Sequence, residues 1–253
     1  MPKVKLCRVV NYCDTLLRTT EFKDYEGAVN GLQLENNGLV SRIGAAVDLN
    51  LGTVKLAVES RADLLLVHHG LFWSGAVPWR GNRFNLLKSL IEHNVAVYSS
   101  HLPLDAHPRI GNNAQLCAAL GLKPVKPFFE YHGQPIGFIA EAALTRAELA
   151  TRLKQATGAE PRLIPAGPDV CRTIGVLTGN AGAELRRAAA AGADTLITGE
   201  GPHWTFTAAE ELGINIFYAG HYATETLGVK ALAAHLSRKF RLPWVFLDHP
   251  SGL

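Results

Sequence analysis

The stretch Asp63-Leu64-Leu65-Leu66-Val67-His68-His69-Gly70 constrains this chain more than any other. A short apolar run opens on an acid and stops at two adjacent histidines and a glycine. An apolar run of this length, bounded by turn residues, reads as a strand buried on both faces of a parallel sheet. In open α/β sheets, ligands gather outside the carboxyl ends of the strands. Two imidazoles at such an end are placed where a metal ion or a substrate would sit.

A second set of residues repeats the pattern around this strand. Ile43 to Val47 lines up with Ile174 to Thr178, and twenty residues after each isoleucine stand Asp63 and Asp194. Val97-Tyr98-Ser99-Ser100-His101 matches Phe217-Tyr218-Ala219-Gly220-His221, with Asp105 and Glu225 four residues beyond the two histidines. Equal spacing predicts an internal duplication of a strand–helix–strand–helix–strand unit with right-handed crossovers. The expected fold is α/β, with a first half over 1–126 and a second over 127–253. The C-terminal helix is expected to pack back on the first half. Proline and glycine concentrate between Lys123 and Pro135, which marks the expected boundary. Where the first half has His68-His69 the second has Gly199-Glu200, so the expectation is one asymmetric site between two pseudo-equivalent halves.

Helical spacing of apolar residues predicts helices over 7–18, 84–93, 111–120 and 224–239. Thr145-Arg146-Ala147-Glu148 reads as a capping box opening another helix. The polar stretch around Asn30-Gly31 and the loop Leu71 to Asn82, with Trp73 and Trp79, are positioned as possible walls of a pocket. The last strand is expected at Trp244 to Asp248.

Composition gives no support to several classes. The net charge of +3 is too mild to indicate nucleic acid or a membrane surface. The four cysteines, Cys7, Cys13, Cys117 and Cys171, form no C-x-x-C pair, so neither a thiolate zinc site nor a redox pair is expected. No apolar stretch reaches the ~18 residues of a membrane span, and the N-terminus has no apolar signal region. A cytoplasmic location is the expectation.

Six donors stand at expected strand ends: His68, His69, His101, Asp105, His221 and Glu225. Neutral imidazole and carboxylate suit zinc, iron, manganese, nickel or cobalt. In His221-Tyr222-Ala223-Thr224-Glu225 the spacing of four brings both side chains to one helix face. Consecutive His68 and His69 are expected to point different ways and serve different ions. Six donors exceed one tetrahedral ion and suit two, bridged by Glu225 or Asp105.

These segments (63–70, 100–107, 197–200 and 220–225) resemble the Nif-three-like proteins, a dinuclear-metal family that carries the designation type 2 GTP cyclohydrolase I. The resemblance runs from about Asn30 to the C-terminal helix. It implies a two-domain subunit, a toroidal homohexamer and two divalent ions held by His68, His69, Asp105, His221 and Glu225, with His101 as a further ligand or a neighbour. It implies hydrolysis of GTP by metal-bound hydroxide at C8 of the guanine. On their own chemistry His101, His107, His203 and Glu200 are the candidates to move protons, since imidazole titrates near neutrality. No Gly-rich phosphate loop is present. A metal-dependent phosphoesterase or nuclease, or a non-enzymatic metal-binding ring, fits the same donors.

Overall fold

Four successive residues, Leu64 to Val67, are all at most 2% exposed. Since consecutive strand residues face opposite sides, this sheet is covered on both. The strand is Leu64–His69, and it lies at the centre of a five-stranded sheet. The computed structural model describes residues 3–73 and 77–252. Met1, Pro2 and Leu253 lie outside the described residues, as does the part of the 71–82 loop formed by Ser74, Gly75 and Ala76.

The chain divides into two units, 1–104 with 229–249, and 105–228 with 250–253. In the first, the sheet order is Trp244–Phe246, Ile43–Asp48, Leu64–His69, Ala96–Ser99 and Gly31–Leu34. The first four strands are mutually parallel and the last pairs antiparallel. Leu65, Val67 and Val97 pack with Val54, Ala57 and Leu90 of the helices Leu51–Glu59 and Asn82–Glu92. Each such buried valine or leucine stabilises the fold by about 1.5–3 kcal/mol. The helix Leu51–Glu59 starts at a reciprocal cap, Asn50 accepting from the Thr53 amide while the Thr53 hydroxyl accepts from the Asn50 amide. The amphipathic helix expected at 7–18 is Leu6–Leu17, burying Val9, Val10, Cys13 and Leu17.

In the second unit the sheet order is Lys123–Tyr131, Gln134–Thr145, Val170–Val176, Thr195–Thr198, Asn215–Tyr218 and Arg162–Ile164. The three strands from Val170–Val176 to Asn215–Tyr218 are parallel, and antiparallel strands flank them. The residues 123–135, read above as a boundary, form a hairpin. His132 and Gly133 both hold positive φ, 47° and 80°, as a two-residue turn of the primed kind requires. Pro124 and Pro127 fit there because this strand lies at the sheet's edge. The helix Asn112–Leu120 belongs to the same unit. Its Leu116, Cys117 and Leu120 share a core with Leu149, Leu153, Ile174 and Phe217. The division of the chain therefore falls near residue 104, ahead of the 126/127 expected from composition. The Thr145 capping box is formed, with Thr145 accepting from the Glu148 amide and Glu148 accepting from Thr145.

The helix expected at 224–239 begins earlier and runs His221–Phe240. Among the described residues no helix is long and apolar enough to cross a membrane.

Candidate metal centre

In the first unit, three adjacent parallel strands end together. Ile43–Asp48 ends in Asp48, Leu64–His69 ends in His68 and His69, and Ala96–Ser99 leads into Ser100 and His101. Asp48 is in register with His69, and Val67 with Ser99. One nitrogen from each of His68, His69 and His101 lies within 4.8 Å of the others. The ring centroids of His68 are 4.8 Å from His69 and 4.9 Å from His101. The two consecutive histidines, expected to diverge, thus turn their rings toward one locus.

Each ring is held in the same way. His68 Nδ1 donates to the Ser100 carbonyl at 2.9 Å. His69 Nδ1 donates to Asp48 Oδ1 at 2.8 Å, and His101 Nδ1 donates to Asp24 Oδ1 at 2.8 Å. A carbonyl or an ionised carboxylate has no proton to give, so each Nδ1 carries the hydrogen and each Nε2 keeps its lone pair. This is how metal-ligating histidines are oriented and made more basic. The donor set suits a borderline divalent ion.

Asp24 organises more than one group. Its carboxylate also accepts from the Leu102 amide, the Tyr25 amide and the Asn30 side chain. Asn30 in turn accepts from the His101 amide at 2.7 Å. Burial would raise the Asp24 pKa, but the hydrogen bond from His101, with those from Asn30 and Tyr25, holds it down at about 2.

The second unit carries its own acid–imidazole set. His221 Nδ1 is 2.7 Å from Glu200 Oε1, and its Nε2 is 3.1 Å from Glu225 Oε2. The spacing of four on the first turn of the helix His221–Phe240 produces this pair. Burial would lower the His221 pKa; the Glu225 and Glu200 hydrogen bonds and charges outweigh it and raise it to about 9. Two glycines make room. A Cβ on Gly199 would meet the Gly179 carbonyl at 2.6 Å and His221 Cα at 2.7 Å. One on Gly179, whose φ is +69°, would stand 2.3 Å from Glu225 Oε1. Asp105 is buried and accepts from the Asn112 side chain at 2.7 Å. Asn112 is itself fixed by the Gly228 amide.

The proposed proton carriers differ in their surroundings. His107 Nδ1 accepts from the amides of Arg109 and Ile110, so that ring closes a local turn. Glu200 is the partner of His221 Nδ1. His203 is exposed and lines a cavity of about 340 Å³ with Arg162, Glu200, Phe206 and Tyr218. Asp24 and Asp48 were not singled out from sequence. Asp48 was findable as the carboxylate that ends a strand beside the histidine strand. Asp24 lies 77 residues from its partner in an irregular segment, with no motif around it.

Known proteins align with nearly the whole chain. The family model Duf34/NIF3 (NGG1p interacting factor 3) matches residues 4–251. A "GTP cyclohydrolase 1 type 2 homolog" of Deinococcus radiodurans is 40% identical over 249 residues, covering 97% of this chain and 93% of the relative. The protein of the same name from Pyrococcus horikoshii is 41% identical, covering 97% and 98%. The crystal structure of TTHA1606 from Thermus thermophilus superposes with a TM-score of 0.90 at 40% identity, covering 99% of this chain and all of the other. On a family model that spans residues 4–251 and relatives 40% identical over nearly all of it, this chain belongs to the Duf34/NIF3 family.

Proposed function

We propose that this chain is a dinuclear-metal hydrolase of the type 2 GTP cyclohydrolase I kind. The observation that carries the reading is the trio His68, His69 and His101, each with Nδ1 donating to an acceptor and one ring nitrogen of each within 4.8 Å of the others. Three imidazoles oriented this way at the ends of adjacent parallel strands are hard to explain as helix caps. The names of the relatives from Deinococcus radiodurans and Pyrococcus horikoshii supply the candidate reaction.

In this reading His68, His69, Asp105, His221 and Glu225 would hold two divalent ions, zinc, iron, manganese, nickel or cobalt, with His101 as a further ligand or a neighbour. Two such ions supply a water nucleophile at neutral pH and charge stabilisation for the developing oxyanion. Asp48, Asp24 and Glu200 fix the tautomer and direction of His69, His101 and His221. Asn112 holds the Asp105 carboxylate. The substrate is a nucleotide, with GTP the first candidate, and the working form is a homohexamer.

The duplication belongs to the same reading. Asp63 accepts from the amides of Ser41 and Arg42, and Asp194 accepts from those of Arg172 and Thr173. Each acid precedes the second of two paired parallel strands. A shared local device at equivalent positions supports descent from one repeated unit.

The test is turnover. Protein reconstituted with each divalent ion is incubated with GTP, and nucleotides are resolved by chromatography. Metal-dependent loss of GTP that a chelator stops and Glu225→Ala abolishes is the expected result. GTP left intact by every reconstituted form would remove the cyclohydrolase assignment.

A further inference from the structure

Two large aromatic side chains stand against the histidine trio and yet remain exposed. Trp73 has its ring centroid 4.6 Å from His101, at 87° to that ring, and 4.6 Å from His69. Tyr25 lies 5.5 Å from His101 on a tilted plane. Trp73 is 42% exposed and Tyr25 46% exposed, whereas His101, which lies against each of them, is 7% exposed. Aromatic rings of this size contribute most when buried. Here two such rings present accessible aromatic surface directly beside the histidine cluster.

The two rings are also held in place. The Val29 amide donates to the Phe72 carbonyl, joining the Tyr25 segment to the Trp73 segment. Gln33 bridges the same two segments, its Oε1 accepting from the Leu71 amide and its Nε2 donating to the Val29 carbonyl. Gly70 lets Gln33 pass, since a Cβ there would meet Gln33 Oε1 at 2.2 Å. At the other end, the Asp24 carboxylate that fixes His101 also accepts from the Tyr25 amide. One hydrogen-bonded framework thus positions the histidine and both aromatic rings.

We infer that Trp73 and Tyr25 receive the planar heteroaromatic ring of the substrate by stacking and so place it beside His101. Every nucleobase has a π-face, and an indole or phenol accepts it without reading its edge. The inference deepens the proposed function and rests on the histidine trio being the reacting centre. It assigns the substrate class, a nucleotide with a planar base, to named residues. Trp73 is a positioning residue here, contributing to binding more than to the chemical step.

Equilibrium binding of GTP, ATP and tripolyphosphate is measured by calorimetry on the full chain, as wild type, Trp73→Ala, Trp73→Phe and Tyr25→Ala. Metal content is measured on each. Removing one stacking ring is expected to weaken both nucleotides by roughly 5- to 100-fold. Trp73→Phe is expected to recover most of the loss, tripolyphosphate binding to be unchanged, and metal content to equal that of wild type. Equal nucleotide affinity in wild type and Trp73→Ala would overturn the inference and leave the hydrolase reading standing. So would nucleotides that fail to bind a metal-replete wild type. Loss of metal in Trp73→Ala, with no recovery in Trp73→Phe, would show that the indole props the histidines, which also overturns it. A wild type without metal refutes the hydrolase reading separately, because ring binding is measured on its own.

Discussion

The Asp48 carboxylate accepts a hydrogen bond from His69 Nδ1 at 2.8 Å, across two strands whose ends are in register. A carboxylate in this position keeps the imidazole proton on Nδ1, leaves the lone pair on Nε2 and raises the basicity of that nitrogen. Asp48→Ala is therefore expected to weaken divalent-metal binding by about 10- to 100-fold while the chain stays folded. Competition against a chromogenic chelator measures this. Unchanged affinity would mean that His69 is not a ligand.

Gly179 tests how the second unit makes room for its carboxylate. Gly179→Ala places a methyl group 2.3 Å from Glu225 Oε1 and holds a non-glycine residue at φ +69°. Gly192→Ala has a comparable φ of +88° but meets nothing within 4 Å. Left-handed backbone costs an L-residue about 1–2 kcal/mol. Urea denaturation is expected to show that cost in Gly192→Ala and a larger loss in Gly179→Ala. Equal losses would show that Glu225 moves aside freely.

Asp24 makes a prediction about acid. Its pKa is held at about 2 by His101, Asn30 and Tyr25 against the effect of burial. A depressed carboxylate contributes stability above its unfolded pKa of roughly 3.9, and loses it as the pH falls through the folded value. The unfolding free energy of wild type should exceed that of Asp24→Asn by on the order of 2 kcal/mol near pH 5–6. That gap should narrow as the pH drops from 4 towards 2. A gap independent of pH would assign the effect of Asp24 to shape and neutral hydrogen bonding.

The cysteines should react unequally. Cys7 is exposed, whereas Cys13, Cys117 and Cys171 are buried. Burial pushes the Cys117 thiol up to about 12, raises Cys171, and raises Cys13 further still with help from Asp14. Only the thiolate is nucleophilic. At pH 8 a disulfide reagent should therefore modify one thiol per chain rapidly, with the other three following only on unfolding. Two or more fast thiols would contradict the packing around these helices and strands.

Much of this fold was legible because hydrophobic period and strand length carry it. Leu64 to Val67 read as a doubly covered strand and are one. His221 and Glu225 read as one helix face, and their side chains lie 3.1 Å apart. Composition misled at 123–135, because a primed hairpin turn and an edge strand use the same prolines and glycines as a linker. Asp24 was illegible because its link to His101 spans 77 residues of chain and depends on how an irregular segment folds over a strand end. Glu200 was visible as a titratable group near the right motif. Its contact with His221 Nδ1 could be seen only in three dimensions.

The most direct measurement is the transition-metal content of the protein purified without added metal, beside His68→Ala and Glu225→Ala. About two ions per chain in wild type, reduced in both variants with circular dichroism unchanged, is the predicted result. Wild-type protein that holds no transition metal, and whose thermal stability does not move on adding zinc, iron or manganese, would contradict the dinuclear centre.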